Sequence, residues 1–276
     1  PRKILTNADL EKMVDTSDEW ITTRTGIKER RLSKGESASD LAGKGAKEAL
    51  KNAVLKAADI DLIIVATITP DMQFPATACF VQAALGIKEA ACFDISAACS
   101  GFIYGLSVAQ QFIASAVYKN ALVIGSEVLS SVTDWQDRNT CVLFGDGAGA
   151  AVLSEVKTGG ILSMYLGSDG TKTELLMIPA GGSRQPASNE TLDKRLHYIK
   201  MQGNELFKLA VNLMSEAAEI AAQKAGLKLS DINLVIPHQA NVRIIAAMAK
   251  KTGIPMGKIY LTIEKYGNMS SASAAI

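Results

Sequence analysis

DIDLIIVA, Asp59 to Ala66, returns later in the chain as DINLVIPH, Asp231 to His238, with Asp, Ile, Leu and Ile kept at four of the first six positions. Each copy follows a helix-patterned stretch rich in Ala and Lys. Each also precedes a second such stretch closing in Gly-Ile, at Leu85–Ile87 and at Thr252–Ile254. A further strand-like run completes each unit, ACFDISAACSG in the first and KIYLTIEKYGNMSS in the second. A single matched strand arises easily by chance, whereas the shared order of helix, strand, helix, strand sets an architecture of two equivalent halves. Continuous apolar strands alternating with helical patterns put both halves in the α/β class, with helices covering a sheet. The expected halves are residues 1–158 and 159–276.

Composition excludes several classes. Hydrophobic residues make up 48% and charged ones 21% of 276 residues, ordinary proportions for a packed protein. A net charge of +1 supplies no global field for nucleic acid or a membrane surface, so neither is an expected partner. The four cysteines, Cys79, Cys92, Cys99 and Cys141, form no Cys-x-x-Cys pair, and there are only two histidines. That supply argues against a metal site and a redox dithiol, and for a reducing, cytoplasmic setting. Ile95 to Tyr118 runs 24 residues without a charge. That is long enough to span a bilayer, but Gln110, Gln111, four serines and two glycines within it argue for strand, turn and buried helix instead. The chain opens at Pro1 without an initiator Met and stops in SSASAAI, which reads as a piece of a longer sequence.

Three residues stand out for chemistry. Cys99 follows a strand and heads a helix-like run, where free backbone N–H groups and the helix dipole favour a thiolate, with small neighbours leaving room for a carbonyl. His238 ends a buried strand beside the polar turn of IPHQANVR. Asn268 in KYGNMSS stands, by the repeat, at the turn matching that of Cys99. Because ligands of α/β sheets bind beyond the carboxyl ends of strands, the repeat makes the three converge between the halves. A buried structural cysteine, a satisfied histidine and an ordinary Gly-Asn turn are the alternatives on these residues alone. FGDGAGAAVL, Phe144 to Leu153, carries Gly-x-Gly-x-Gly but precedes strand-like residues, so a tight turn between buried strands is expected and no dinucleotide site. Trp20 and Arg24 lie four apart and share a helix face, suited either to an aromatic ring with a phosphate or to a solvated, salt-bridged surface. Arg243 with Lys250, Lys251 and Lys258 forms a local basic cluster able to steer an acidic partner.

Taken together, TNADLEKMVDTSDEW, TRTGIKERR, ISAACSGF, FGDGAGAAVL, GNELFKLAV and IPHQAN, in this order, closely resemble β-ketoacyl-acyl carrier protein synthase III of the thiolase superfamily. The resemblance implies a duplicated five-layer αβαβα fold with two mixed sheets, a homodimer, and a Cys99, His238, Asn268 triad. It implies transfer of a short acyl group from acyl-CoA to Cys99, then condensation with malonyl-acyl carrier protein, with no metal or other cofactor. By the same resemblance Trp20 and Arg138 flank the CoA adenine, with Arg24 near its phosphates. Asn204, Phe207 and Asn241 line the pantetheine tunnel, and Phe74 reaches the acyl pocket of the partner subunit. Arg243, Lys250 and Lys251 face the carrier protein, while Phe74 and Leu129 to Asp137 bear on primer choice. Met269 stands where the family usually has Thr, and the family's glycine-rich strand near the start and glycine-rich turn near the end are not among these residues. The rival expectations are a degradative thiolase or hydroxymethylglutaryl-CoA-type synthase, and a non-catalytic binding module for acyl-CoA or carrier protein on the same scaffold.

Overall fold

Leu62–Ala66 is apolar and buried at every position, the state of a strand covered on both faces. The computed structural model describes Pro1–Ile276. Its first half runs β1 (Lys3–Thr6), α1 (Asn7–Leu10), α2 (Asp18–Thr25), β2 (Glu29–Leu32), α3 (Ala38–Ala53), β3 (Leu62–Ala66), α4 (Thr77–Leu85), β4 (Ala91–Ile95), α5 (Gly101–Ala114), β5 (Asn120–Val128), α6 (Arg138–Cys141) and β6 (Asp146–Ser154). The second half has β7 (Leu176–Met177), α7 (Asn189–Asp193), β8 (Lys200–Met201), α8 (Gly203–Lys224), α9 (Val242–Thr252) and α10 (Ile263–Tyr266). Residue 158 falls in the irregular stretch after β6.

The central sheet has the order β4-β3-β5-β6, with β3 parallel to both neighbours and β6 antiparallel to β5. Alternate side chains of β3 and β5 go to opposite faces. Ile63, Val65, Leu122 and Ile124 meet Ala42, Ala46 and Leu50 of α3 and Val81 of α4. Leu62, Ile64, Ala121 and Val123 meet Phe102 and Ala109 of α5. The uncharged run is thus the helix of one sheet face, and no helix of the protein is long and apolar enough to cross a membrane.

The repeat is visible in matching details. Lys56 N–H donates to Asp59 Oδ2 at 2.8 Å, and Lys228 N–H to Asp231 Oδ2 at 2.9 Å. Gly86 and Gly253 close α4 and α9 with φ of 69° and 72°, the left-handed cap that glycine adopts without strain. Ala98 and Ser270 both take positive φ, 44° and 45°, each as the first residue of a short helical segment. This last pair corrects the sequence alignment. Asp59 and Asp231, like Ala98 and Ser270, are 172 residues apart. The counterpart of Cys99 is therefore Ser271, and Asn268 lies three residues before that position.

The second copy forms much less sheet than its pattern suggests. Val235 bridges Ile259 in parallel, with Val235 N–H to Lys258 O at 2.8 Å and Tyr260 N–H to Val235 O at 2.9 Å. Pro237 has no N–H to extend that ladder. Leu234 and Ile236 on either side of Val235 are exposed. Ile245 and Met248 of α9 pack on Ile259, with Met214 of α8 and Val235 alongside, so the helices hold this layer together.

The glycine-rich run also differs from expectation. Gly147 and Gly149 lie within β6, and Gly145 just before it, rather than in a turn between strands. A side chain at Gly149 would run into the backbone of Ala275, and one at Gly147 would come 2.5 Å from Met269 Sδ. The glycines thus admit the segment after Asn268 onto the sheet, and no nucleotide loop is formed.

Candidate active site

Cys99 sits in the single helical turn Ala98–Ser100 that leads from β4 into α5. His238 follows Pro237 at the end of the bridged strand, and Asn268 follows α10. All three line one cavity of about 1130 Å³, together with Trp20, Arg24, Asn204, Phe207, Asn241 and Arg243. Nine of the residues singled out from sequence therefore meet in one place.

Buried hydrogen bonds set the histidine and the asparagine. Gln239, almost fully buried, donates from Nε2 to the Pro237 and Tyr260 carbonyls at 2.9 and 3.1 Å. Its Oε1 accepts from the N–H groups of Thr262 and Ile263 at 2.9 and 3.2 Å. All four polar positions of the amide are used, so the turn bearing His238 is clamped to the strand beside it. Nδ1 of His238 is buried without a partner, which leaves Nε2 as the nitrogen serving the cavity. Asn268 Oδ1 accepts from Ser270 N–H at 2.9 Å, which orients the amide and leaves Nδ2 to donate.

Burial dominates the acid–base state. It pushes the Cys99 thiol up to about 11 and holds the His238 imidazole down to about 4. At Cys99 desolvation thus outweighs the helix start and favours the thiol, with a histidine held toward its neutral form on the same cavity wall. Cys92 and Cys141 are pushed up to about 11 as well, so acidity does not set Cys99 apart. Its place on the cavity wall does.

The mouth is cationic and aromatic. Arg24 and Arg138 lie 4.9 and 4.7 Å from the Trp20 ring centroid, and Arg243 lies 5.8 Å from that of Phe207. Arg138 does not itself line the cavity; it donates to the Asp15 carbonyl at 2.8 Å and closes directly on Trp20. Asn241 caps α9 by accepting Arg243 N–H at 2.8 Å. Lys250 and Lys251 are exposed at the far end of α9, about 10 Å along the axis from Arg243. Phe74 stays away from this cavity and is 84% exposed. Sequence reasoning passed over Gln239 as a clamp, and passed over Glu127 and Ser271 entirely. The signal for Glu127 was present: it is the one charge inside the apolar run Ala121 to Leu129.

A duplicated α/β scaffold that brings a cysteine at a helix start to one cavity with a histidine and an asparagine defines the thiolase-like condensing enzymes. Residues 93–170 match the family described as 3-Oxoacyl-[acyl-carrier-protein (ACP)] synthase III, and residues 222–276 match its C-terminal part. The chain is 60% identical to the Beta-ketoacyl-[acyl-carrier-protein] synthase III of Caldanaerobacter subterraneus subsp. tengcongensis, over 100% of this chain and 84% of the relative. The crystal structure of 3-oxoacyl-[acyl-carrier-protein] synthase III from Aquifex aeolicus VF5 superposes with a TM-score of 0.92 at 53% identity, covering 100% of this chain and 85% of that one. The priming beta-ketosynthase of the R1128 polyketide biosynthetic pathway gives a TM-score of 0.92 at 34% identity, covering 100% and 82%. The chain belongs to the 3-oxoacyl-[acyl-carrier-protein] synthase III family, and it is an acyltransferase.

Proposed function

We propose that the protein joins a short acyl group from acyl-CoA to malonyl-acyl carrier protein, with loss of carbon dioxide, to begin fatty acid synthesis. The observation that carries this reading is the cavity: Cys99, His238 and Asn268 line its wall, and Trp20, Arg24 and Arg243 line it too. In the first step the Cys99 sulfur attacks the acyl-CoA carbonyl. A thioester forms on Cys99, the CoA–acyl bond breaks, and the thiol proton ends on the CoA sulfur. The backbone N–H of Cys99 is suited to receive the oxyanion. In the second step malonyl-carrier protein loses carbon dioxide. His238 Nε2 and Asn268 Nδ2 donate to the thioester oxygen, where the enolate charge gathers. The enolate carbon attacks the acyl carbonyl, the bond to sulfur breaks, and the Cys99 thiolate takes up a proton from solvent. A neutral imidazole suits this role, since it donates one proton at a fixed position without carrying a charge into the cavity.

At the mouth, a planar adenine stacked between Trp20 and Arg138 needs about 7 Å, twice a van der Waals contact. Arg138 at 4.7 Å from the Trp20 centroid must therefore swing outward to admit it. Arg24 is suited to phosphate. Arg243, with Lys250 and Lys251 further along α9, offers a positive strip to an acidic carrier protein. The open edge of β4 and the exposed Phe74 suit a homodimer, with Phe74 of each protomer reaching toward its partner's acyl pocket. The reading calls for no metal, and places the work in the cytoplasm. Incubation with acetyl-CoA followed by peptide mass analysis tests it: an acetyl group on Cys99 is expected. CoA binding with no adduct on Cys99 would instead mark a non-catalytic binding module.

A further inference from the structure

Glu127, the penultimate residue of β5, is fully buried and takes part in none of the ion pairs of the protein. Its Oε2 accepts from Thr67 Oγ1 at 3.2 Å, Ile68 N–H at 3.1 Å and Thr69 Oγ1 at 2.7 Å. Both threonine hydroxyls already accept a backbone N–H, Thr67 from Thr69 and Thr69 from Val128, so their protons go to Oε2. Oε1 has one hydrogen-bond partner, Ser271 Oγ at 3.0 Å, and that hydroxyl also lies 2.7 Å from the Ala66 carbonyl. A serine hydroxyl carries one proton, and a carbonyl only accepts. The shorter contact, to Ala66, takes the serine proton. The contact between Oε1 and Ser271 Oγ then needs a proton from the carboxyl group.

We infer that Glu127 is held as a neutral carboxylic acid, donating from Oε1 to Ser271 Oγ and through it to the Ala66 carbonyl, and that this chain of bonds positions the turns bearing Cys99 and Asn268 against each other. Two anchors support the role. Ala66 ends β3 beside β4, the strand that delivers Cys99; Ser271 lies three residues past Asn268 and is the counterpart of Cys99 in the repeat. Burial also raises Glu127 above the ordinary carboxylate range. Ser270 Oγ, buried and without a partner of its own, stands close enough to influence both the Cys99 thiol and the Glu127 carboxyl. The titratable group facing Glu127 is Cys99, from the turn before α5. Thr67–Thr69 after β3 and Ser270–Ala274 bring none. On β6 Gly147 is opposite, and the neighbouring Asp146 turns its carboxyl to Ser33 and Ser130. A neutral acid spares the Cys99 thiolate an anion at close range.

The inference rests on Cys99 as the acyl acceptor, and the two fail differently. Wild type and Glu127→Gln are compared at neutral pH by infrared difference spectroscopy and by the rate of Cys99 alkylation with iodoacetamide, mapped by peptide mass. A protonated-carboxyl band present in wild type and lost in the variant is expected, with the alkylation rate changed by less than about threefold. A carboxylate band, or an alkylation rate raised by about tenfold as expected on removing an anion, overturns the neutral acid. The carboxamide keeps a donor toward Ser271, so Glu127→Gln should form acetyl-enzyme at least about tenfold faster than Glu127→Leu. Equal rates overturn the positioning role. Should the leucine variant fail to fold, the infrared and alkylation comparisons still decide the protonation state. Absence of any acetyl group on wild-type Cys99 would instead count against the proposed function.

Discussion

The backbone N–H of Asn268 donates to the Leu143 carbonyl at 2.9 Å, and Gly145 N–H returns a bond to the Asn268 carbonyl at 3.0 Å. Asn268 is thereby stitched to the approach of β6, in the other half of the repeat. Its own side-chain oxygen is occupied by Ser270 N–H, so the Nδ2 donor is held in place before any substrate arrives. Preorganised donors of this kind act on developing charge without the cost of reorienting during the reaction.

Asn268→Ala should consequently separate the two chemical steps. Acetyl transfer to Cys99 should persist, while decarboxylation and condensation fall by about 10²–10³, the usual loss for one oxyanion donor. Single-turnover assays with acetyl-CoA alone, and then with malonyl-carrier protein, read the two steps. Equal loss in both would mean that Asn268 acts on Cys99 or on the fold instead.

Cys99→Ala should carry no acetyl group after incubation with acetyl-CoA, whereas Cys92→Ala should be acetylated as wild type. All three cysteines with displaced acidity, Cys92, Cys99 and Cys141, are pushed to about 11, so any selectivity must come from the cavity. Peptide mass mapping checks this directly. An adduct on Cys141 in the alanine variant would point to acidity-independent leakage through the fold.

Much of this was legible in the sequence, because repeats and turn chemistry are local. The Asp59 and Asp231 turns and the Gly86 and Gly253 caps follow from residues a few positions apart. The matching of Cys99 with Asn268 was displaced by three residues, since only backbone conformation, at Ala98 and Ser270, fixes the register. DINLVIPH has strand composition, but it pairs through a single bridge because Pro237 has no N–H to extend the ladder, which composition alone does not show. Glu127 escaped notice because its meaning depends on Thr67, Thr69 and Ser271, which lie 58 to 144 positions away along the chain. The clamp made by Gln239 likewise depends on partners more than twenty residues distant.

Burial of His238 predicts a pH effect on stability with a definite sign. The folded imidazole titrates at about 4 and the unfolded one at 6.5, so between these values the unfolded chain binds more protons. The stability contributed by the neutral form is complete above 6.5 and is lost as pH falls toward 4. Thermal unfolding from pH 7.5 to about 4.5 should therefore drop less steeply in His238→Gln than in wild type. Subtracting the two curves removes carboxylate contributions common to both. Parallel curves would mean that His238 is solvated in the native state.

Arg138 should affect acyl-CoA binding rather than chemistry. Trp20→Ala removes the ring that both Arg24 and Arg138 cover, and should raise KM for acetyl-CoA by about 5–30-fold with kcat little changed, from contacts of about 1–2 kcal/mol. Arg243→Glu should instead weaken use of the carrier protein more than use of acetyl-CoA, with the difference shrinking at high salt. Steady-state kinetics with each substrate varied in turn read both variants. An equal rise for both substrates would count against separate adenine and carrier sites.

Two glycine substitutions should have opposite effects, and the contrast tests whether closure of the halves matters more than helix propensity. A Cβ at Gly125 of β5 would come 2.5 Å from the Ser271 carbonyl oxygen, which is backbone and has little freedom to yield. Gly125→Ala should cost about 1–3 kcal/mol, the usual range for overpacking. It should also slow condensation beyond what its loss of stability explains, because Ser271 and Asn268 move together. A Cβ at Gly43 meets nothing within 4 Å and lies inside α3, where alanine is the better helix former. Gly43→Ala should therefore raise stability by up to about 1 kcal/mol. Denaturant unfolding measures both, and condensation assays at low denaturant separate a displaced turn from a weaker fold. Should Gly125→Ala keep both stability and activity, the approach of Ser271 to β5 is looser than its geometry indicates, and the positioning chain through Glu127 loses its anchor.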